Sequence, residues 1–417
     1  MSNIIKKQIY SKLILILFTL SIIIVMVSMI EFSLRVLKIP EIKPGNYILE
    51  WDPCFFFRNR RNLDIKLFNN KIRVTINSNG FRYQDIPLEK SKNLFRICCL
   101  GDSTTFGYGV NNEDAFTSVL ERKLNNVSEK TKYEVINCGV VGQYSLSGLE
   151  MFKRDILPFK PDMIIVSYAL NDAGMVWMWA DMKGNNYKEL PRPSRSAVAV
   201  RNYFFPRSNL YRLVSKSLYN LRQNIHYYFQ VRNNHRSAEK LTSRSDYKNN
   251  LRSFIRLAEK HKIKVIFFFA PVQIIWAEGG KIIFTSKKEC FDKIKEIKLK
   301  INLQKVTNYI NYFHLGNCCQ YLNNQKLARK YYYEAVKCEP SYSIWRKDAL
   351  EFYLLMKKVA RDENIPFIDV NNKFYNEEYH HNSKRLFFDV YHTSEYGHKI
   401  IADEIFQILS IRKLVKY

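Results

Sequence analysis

Phe95-Arg96-Ile97-Cys98-Cys99-Leu100-Gly101-Asp102-Ser103-Thr104 is a short apolar run that stops on a glycine, a carboxylate and two hydroxyls. Residues 95–100 have the length and character of a buried strand, and a helical pattern begins a few residues later. The same alternation repeats along the chain. Apolar runs at 133–136, 163–168, 265–270 and 366–370 alternate with helical periodicity at 113–124, 146–157, 247–261, 344–362 and 395–409. Strands interleaved with amphipathic helices predict a parallel sheet covered on both faces, a three-layer α/β/α domain. Ligands of such sheets bind beyond the C-terminal strand ends, so the residues just after each run are the ones to read for chemistry.

Four of those ends carry suggestive residues. Ser103 follows the first strand and faces a helix N-terminus, where unpaired N–H groups and the helix dipole favour negative charge. The segment is not the G-x-S-x-G elbow, because position 105 is Thr. Asn137-Cys138-Gly139-Val140-Val141-Gly142-Gln143 follows the second strand, and glycines there let backbone N–H groups approach a ligand. Tyr168-Ala169-Leu170-Asn171-Asp172 follows the third, where an Asn side chain can donate to an oxyanion and Asn-Asp can equally cap a helix. Asp389-Val390-Tyr391-His392 precedes the last helix, at a spacing that lets the carboxylate hold the imidazole while its other nitrogen reaches a serine. Taken singly, the first two are ordinary turns. Of the other histidines, His226, His235, His261, His314 and His380 read as surface residues, His381 has no evident role, and His398 packs at the start of the last helix.

Together and in this order, the four blocks resemble the SGNH, or GDSL-type, hydrolases over roughly residues 75–412. The flanks Asn77-Ser78-Asn79-Gly80-Phe81-Arg82 and Thr105-Phe106-Gly107-Tyr108-Gly109-Val110 look like membrane-anchored bacterial members. The resemblance implies a flavodoxin-like fold and a serine esterase mechanism. Ser103 would be the nucleophile, His392 its base and then the acid for the leaving alcohol, and Asp389 the residue that orients His392. The backbone N–H groups of Ser103 and Gly142, with the Asn171 amide, would form the oxyanion hole. Neither a metal nor an organic cofactor is implied. Ala169 departs from the family pattern, which usually has glycine two places before the Asn. The substrates implied are O-acyl groups, often acetyl, on envelope or secreted polysaccharide. Transfer of the acyl group to a sugar hydroxyl would use the same site, and a non-catalytic scaffold is the third reading.

Outside that domain the composition speaks mainly of surfaces. The chain has 417 residues, 66 Lys+Arg against 39 Asp+Glu and a formal charge of +27, which favours acidic partners such as anionic lipid or acidic glycan. No recognised nucleic-acid module accompanies the charge, so nucleic acid is not expected. Eight cysteines without a C-x-x-C pair exclude zinc ribbons and thioredoxin-like sites. Cys98 and Cys99 should point to opposite faces of their strand. Residues 13–30 are uncharged, preceded by Lys6, Lys7 and Lys12 and closed by Glu31. At ~1.5 Å per residue they rise about 27 Å, enough to cross a hydrocarbon core. The first alanine is Ala115, so no A-x-A cleavage site is present. An uncleaved single-pass anchor with the catalytic domain outside the cytoplasmic membrane is expected.

The expected organisation is therefore a tail and anchor at 1–37, a stalk with a small β-hairpin at 38–94, and a first hydrolase part at 95–270. A helical insert at 271–345 and a closing hydrolase part at 346–417 complete it. The hairpin should turn at Asn69-Asn70. In the insert, Tyr312, Leu315-Gly316, Cys319, Ala328, Tyr332, Ala335 and Pro340 fall at the offsets of one tetratricopeptide repeat, a possible docking place for a protein partner. Residues 201–262 hold fourteen Lys/Arg and three acids. They read first as a solvated helical face, with contacts to anionic headgroups or acidic glycan as alternatives.

Overall fold

The computed structural model describes residues 2–39, 48–54, 56–174, 194–218, 221, 242–271, 284, 286–304, 309–338, 344–371, 373–374, 377, 385–389 and 391–415. His226, His235, His380, His381, Pro340 and Val390 lie outside them. In chain order the first elements are α1 (Ser2–Val36), β1 (Leu49–Asp52), β2 (Phe56–Asn59), β3 (Leu63–Leu67), β4 (Ile72–Ile76) and β5 (Leu94–Gly101). There follow α2 (Ser103–Phe106), α3 (Phe116–Val127), β6 (Lys132–Asn137), α4 (Ser145–Met151), β7 (Met163–Ser167), α5 (Arg195–Phe204) and α6 (Arg244–Lys260). The C-terminal part holds β8 (Lys264–Phe269), α7 (Lys287–Gln304), α8 (Tyr309–Tyr321), α9 (Gln325–Cys338), α10 (Ile344–Asp362), β9 (Phe367–Asp369) and α11 (Glu395–Ile411). These divide into two compact units, Met1–Pro53 with Arg192–Ser237, and Cys54–Pro191 with Ala238–Tyr417.

In the first unit the Tyr10–Val36 part of α1 is exposed except at Glu31 and Leu34, and it is long and apolar enough to cross a membrane. Its hydroxyls bond inward to the helix: Thr19 Oγ1 donates to Leu15 O at 2.8 Å and Ser33 Oγ to Met29 O at 2.9 Å. A polar side chain on an apolar helix face satisfies itself in this way when water is absent.

The second unit is built on a five-stranded sheet in the order β6-β5-β7-β8-β9. All four pairings are parallel, with Cys98 opposite Ile136, Gly101 opposite Ser167 and Phe268 opposite Ile368. Renumbered within the sheet this is 2-1-3-4-5, the flavodoxin-like order, whose crevice lies at the end of the first strand. Side-chain alternation sorts β5 between two cores. Ile97 and Cys99 pack with Phe116, Leu120 and Leu124 of α3 and Ile401, Ile405 and Leu409 of α11. The opposite face is covered by α4, α6 and α10, and Leu251, Phe254, Phe352 and Met356 are buried there. Both faces being dry, the strands are mostly apolar, as expected for a parallel sheet, and the buried charge of Arg96 on β5 is paired with Glu134 on β6 at 2.8 Å.

Local departures from the expected boundaries have local causes. The helix expected from residue 113 begins at Phe116, because Asn111 and Asp114 close a turn and His398 Nδ1 accepts the Phe116 N–H at 3.2 Å. The helix expected over 146–157 loosens after Met151 into a wide turn, Phe152–Ile156, then a tight one, Leu157–Phe159, around Pro158. The β3–β4 hairpin turns through Phe68, Asn69 and Asn70, all three at positive φ, where Asn is the tolerant residue type. In the insert α8 and α9 pack side by side. A Cβ on Gly316 would lie 2.5 Å from the Tyr332 ring, so only glycine permits this approach. Leu315, Cys319, Ala328, Tyr332 and Ala335 are all buried. His314 is half-buried on α8 with its Nε2 unpartnered, and not at the surface as its sequence context suggests.

Candidate active site

β5 ends at Gly101, where a Cβ would come within 2.0 Å of Thr105 Oγ1 and 2.7 Å of Ser167 O. That close approach lets the chain turn directly from strand into α2. Asp102 caps the turn: its carboxylate accepts the Thr104 N–H at 2.9 Å and the Thr104 hydroxyl at 2.7 Å. Burial pushes the Asp102 carboxyl up, opposed by those two donors. Ser103 is therefore the first residue of a helix, with an N–H that has no intrahelical partner.

His392 reaches Ser103 across 289 positions of sequence, with Nε2 2.8 Å from Oγ. Its Nδ1 lies 2.7 Å from Asp389 Oδ2 and 2.9 Å from Oδ1. The same Oδ1 accepts the backbone N–H groups of Tyr391 and His392, each at 2.8 Å. One carboxylate thus sets both the loop and the ring. Partial burial works to raise the Asp389 carboxyl, but the His392 ring and the two N–H donors hold it below the usual range. The Tyr108 ring lies 4.8 Å from the imidazole and limits where it can rotate.

The glycine block follows β6 in a tight turn, with Val140 N–H donating to Gly101 O and Gln143 N–H to Val140 O. Gly142 sits in this turn at φ +77, a conformation that glycine adopts without strain. Asn171 Nδ2 donates to Gln143 O at 3.0 Å, joining the third block to the second. An amide carries two N–H donors, so this bond leaves one for a ligand. Ala169 is buried and lines a cleft with Thr104, Ser167, Leu170, Phe269 and Tyr391. The cleft touches Asp102 and Thr104, the neighbours of Ser103.

Two functional-looking groups were not singled out by the sequence. Asp172 is fully buried, and its carboxylate accepts the Ser145 N–H at 3.0 Å and the Ser145 hydroxyl at 2.5 Å. Asn250 Nδ2 donates to the same Ser145 oxygen at 2.9 Å. Burial pushes the Asp172 carboxyl up to about 7 against those donors. Arg82 is the second. Its guanidinium donates to Phe106 O at 2.8 Å, Gly107 O at 2.7 Å and Asn112 Oδ1 at 2.8 Å, pinning the loop that presents Tyr108. His398, expected to pack, is buried against Phe116, and burial followed by the charges of Arg82 and His392 lowers it to about 3. Among the described residues, no three His, Cys, Asp or Glu side chains gather as a metal site requires.

Comparison with known proteins gives faint structural likenesses. An acetylxylan esterase from Geobacillus stearothermophilus is 15% identical, with a TM-score of 0.38 over 75% of this chain and 93% of that one. A G-D-S-L family lipolytic protein from Desulfitobacterium hafniense is 12% identical, with a TM-score of 0.37 over 75% and 99%. An α/β hydrolase from the metagenome of Lake Arreo is 12% identical, with a TM-score of 0.40 over 78% and 97%. No curated protein matches the chain. Residues 99–281 match the GDSL-like Lipase/Acylhydrolase family, which supports that family assignment for the part of the sheet carrying Ser103, Gly142 and Asn171.

Proposed function

We propose that this chain is a membrane-anchored serine esterase acting through an acyl-serine on O-acyl groups, acetyl above all, of envelope or extracellular polysaccharide. The observation that carries the reading is the continuous hydrogen-bonded line from Ser103 Oγ through His392 to Asp389, at 2.8 and 2.7 Å. With Nδ1 protonated toward Asp389, His392 Nε2 takes the hydroxyl proton as Oγ attacks the ester carbonyl. The oxyanion then sits against the N–H groups of Ser103 and Gly142 and the second N–H of Asn171, each such donor contributing roughly 10²–10³ in kcat. The imidazolium gives its proton to the leaving alkoxide, and water, deprotonated by the same ring, releases the acid and restores Ser103. The cleft lined by Ala169 borders Asp102 and Thr104, beside the nucleophile, where the acyl group of a bound ester would lie. α1 supplies the anchor, and the α8–α9 pair is a repeat-like unit available to a protein partner.

The test is p-nitrophenyl acetate turnover by the full chain in detergent micelles, with and without Ser103→Ala. A fall of at least about 10³-fold is expected, because the nucleophile is lost while the oxyanion hole remains. Equal rates for the two proteins would remove the esterase reading.

A further inference from the structure

We propose that residues 194–218 form a second membrane-contacting element, which seats on anionic phospholipid headgroups where α1 leaves the bilayer. The proposal rests on the reading of α1 as a membrane span. Lys12 and Glu31 bracket the apolar stretch of α1. Nineteen residues apart, they are separated by about 28 Å of helix at ~1.5 Å per residue, close to the ~30 Å of a hydrocarbon core. Glu31 therefore marks the boundary, and residues 209–218 begin there. The Glu31 carboxylate accepts the N–H groups of Asn209 and Leu210, each at 2.9 Å, and the Ser208 hydroxyl at 2.9 Å. In return Asn209 Nδ2 donates to Leu34 O at 3.2 Å and Ile39 O at 2.9 Å, closing the C-terminal end of α1. The helix of residues 209–218 is thus fixed at headgroup depth by five hydrogen bonds.

Its surface suits that depth. Val200, Tyr203 and Phe204 are 49%, 58% and 43% exposed at i, i+3, i+4 spacing on α5, and Val214 and Leu218 are 48% and 56% exposed four residues apart. Apolar side chains one turn apart share a helix face. Between positions 190 and 237 the sequence has nine Lys/Arg and no Asp or Glu. The Arg207 guanidinium lies over the Tyr203 ring at 4.6 Å, placing charge beside the aromatic surface. Apolar and aromatic rows edged by cations, joined to the exit of a span, match an anionic interface in charge and in depth.

The experiment uses the full chain reconstituted in vesicles containing phosphatidylglycerol, with an environment-sensitive fluorophore on Leu218→Cys and the wild-type chain carried through labelling as the blank. Quenching by doxyl-labelled lipid and protection from aqueous iodide is the expected result. Quenching by iodide and not by lipid overturns the proposal while leaving the anchor intact. Protection from both quenchers means that protein covers Leu218, which also overturns it. In vesicles of phosphatidylcholine alone, lipid quenching should fall several-fold, as should that of Arg207→Glu/Lys216→Glu in the anionic vesicles; equal quenching rejects the anionic-headgroup assignment. Release of the chain by alkaline carbonate removes the anchor and this proposal with it. Loss of esterase activity, by contrast, bears on neither.

Discussion

Asp389 does two jobs with one carboxylate. Its Oδ1 gathers the Tyr391 and His392 N–H groups and shares the His392 ring with Oδ2. Asp389→Asn keeps an oxygen for the loop but removes the charge that orients and stabilises the imidazolium. Activity on p-nitrophenyl acetate should fall roughly 10²–10⁴-fold with little change in melting temperature, a split that separates orientation from stability. The Asp389–His392 spacing was legible because three residues on a loop bring a carboxylate to its own imidazole. Asp172 was not, because Asn-Asp after a strand also describes a helix cap; its role depends on burial and on Ser145, neither visible in the local pattern. Asp172→Ala should release the Ser145 N–H and hydroxyl and loosen the turn holding Gly142. A kcat lower by roughly 10–10², with KM less affected, is the expected split for a residue that acts through transition-state donors. Equal losses in both variants' folding cooperativity would instead mark Asp172 as structural alone.

Elements show where periodicity suffices and where it does not. The strands at 95–100 and 163–168 were readable from apolar runs because a doubly covered parallel sheet has no solvated face to blur them, Arg96 being buried and paired with Glu134. The α3 start was misplaced because its first N–H is claimed by His398, 282 positions away. Arg82 is the comparable case for a loop. Buried with its guanidinium against the backbone carbonyls of Phe106, Gly107 and Val110 and the Asn112 side chain, it takes the place of a secondary-structure ladder for residues 106–112. Removing it takes their charged donor from these carbonyls and leaves Phe106 O only the Asn137 amide and Gly107 O only the Val110 N–H. Arg82→Met should cost about 3 kcal/mol in denaturant unfolding. Arg82→Lys should recover little of that, because an ammonium cannot reach the same fork of acceptors. The bonds of Ser208, Asn209 and Leu210 to Glu31 were also hidden, because the partners lie more than 170 positions apart.

For the molecule as a whole, two buried groups tilt stability with pH in opposite directions. Asp172 has its carboxyl raised from 3.8 to about 7, so the folded chain keeps a proton that the unfolded chain has lost. Its contribution is complete below pH 3.8 and is lost as pH rises through about 7, about 4 kcal/mol in all at ~1.4 kcal/mol per unit. His398 is lowered from 6.5 to about 3, so its neutral form is the one that packs. Its contribution is complete above pH 6.5 and falls away as pH drops, about 2 kcal/mol by pH 5. Between pH 4 and 6.5 the two slopes oppose one another, and each single variant unmasks the other. Relative to wild type, Asp172→Asn should gain stability progressively from pH 4 to 7, since an amide holds the Ser145 contact without ionising. His398→Gln should instead gain as pH falls from 6.5 to 5, since it has no proton to take up. Denaturant midpoints of the full chain in micelles, taken across that range, test both signs together. Parallel curves for wild type and both variants would mean that neither group titrates between the folded and unfolded chain.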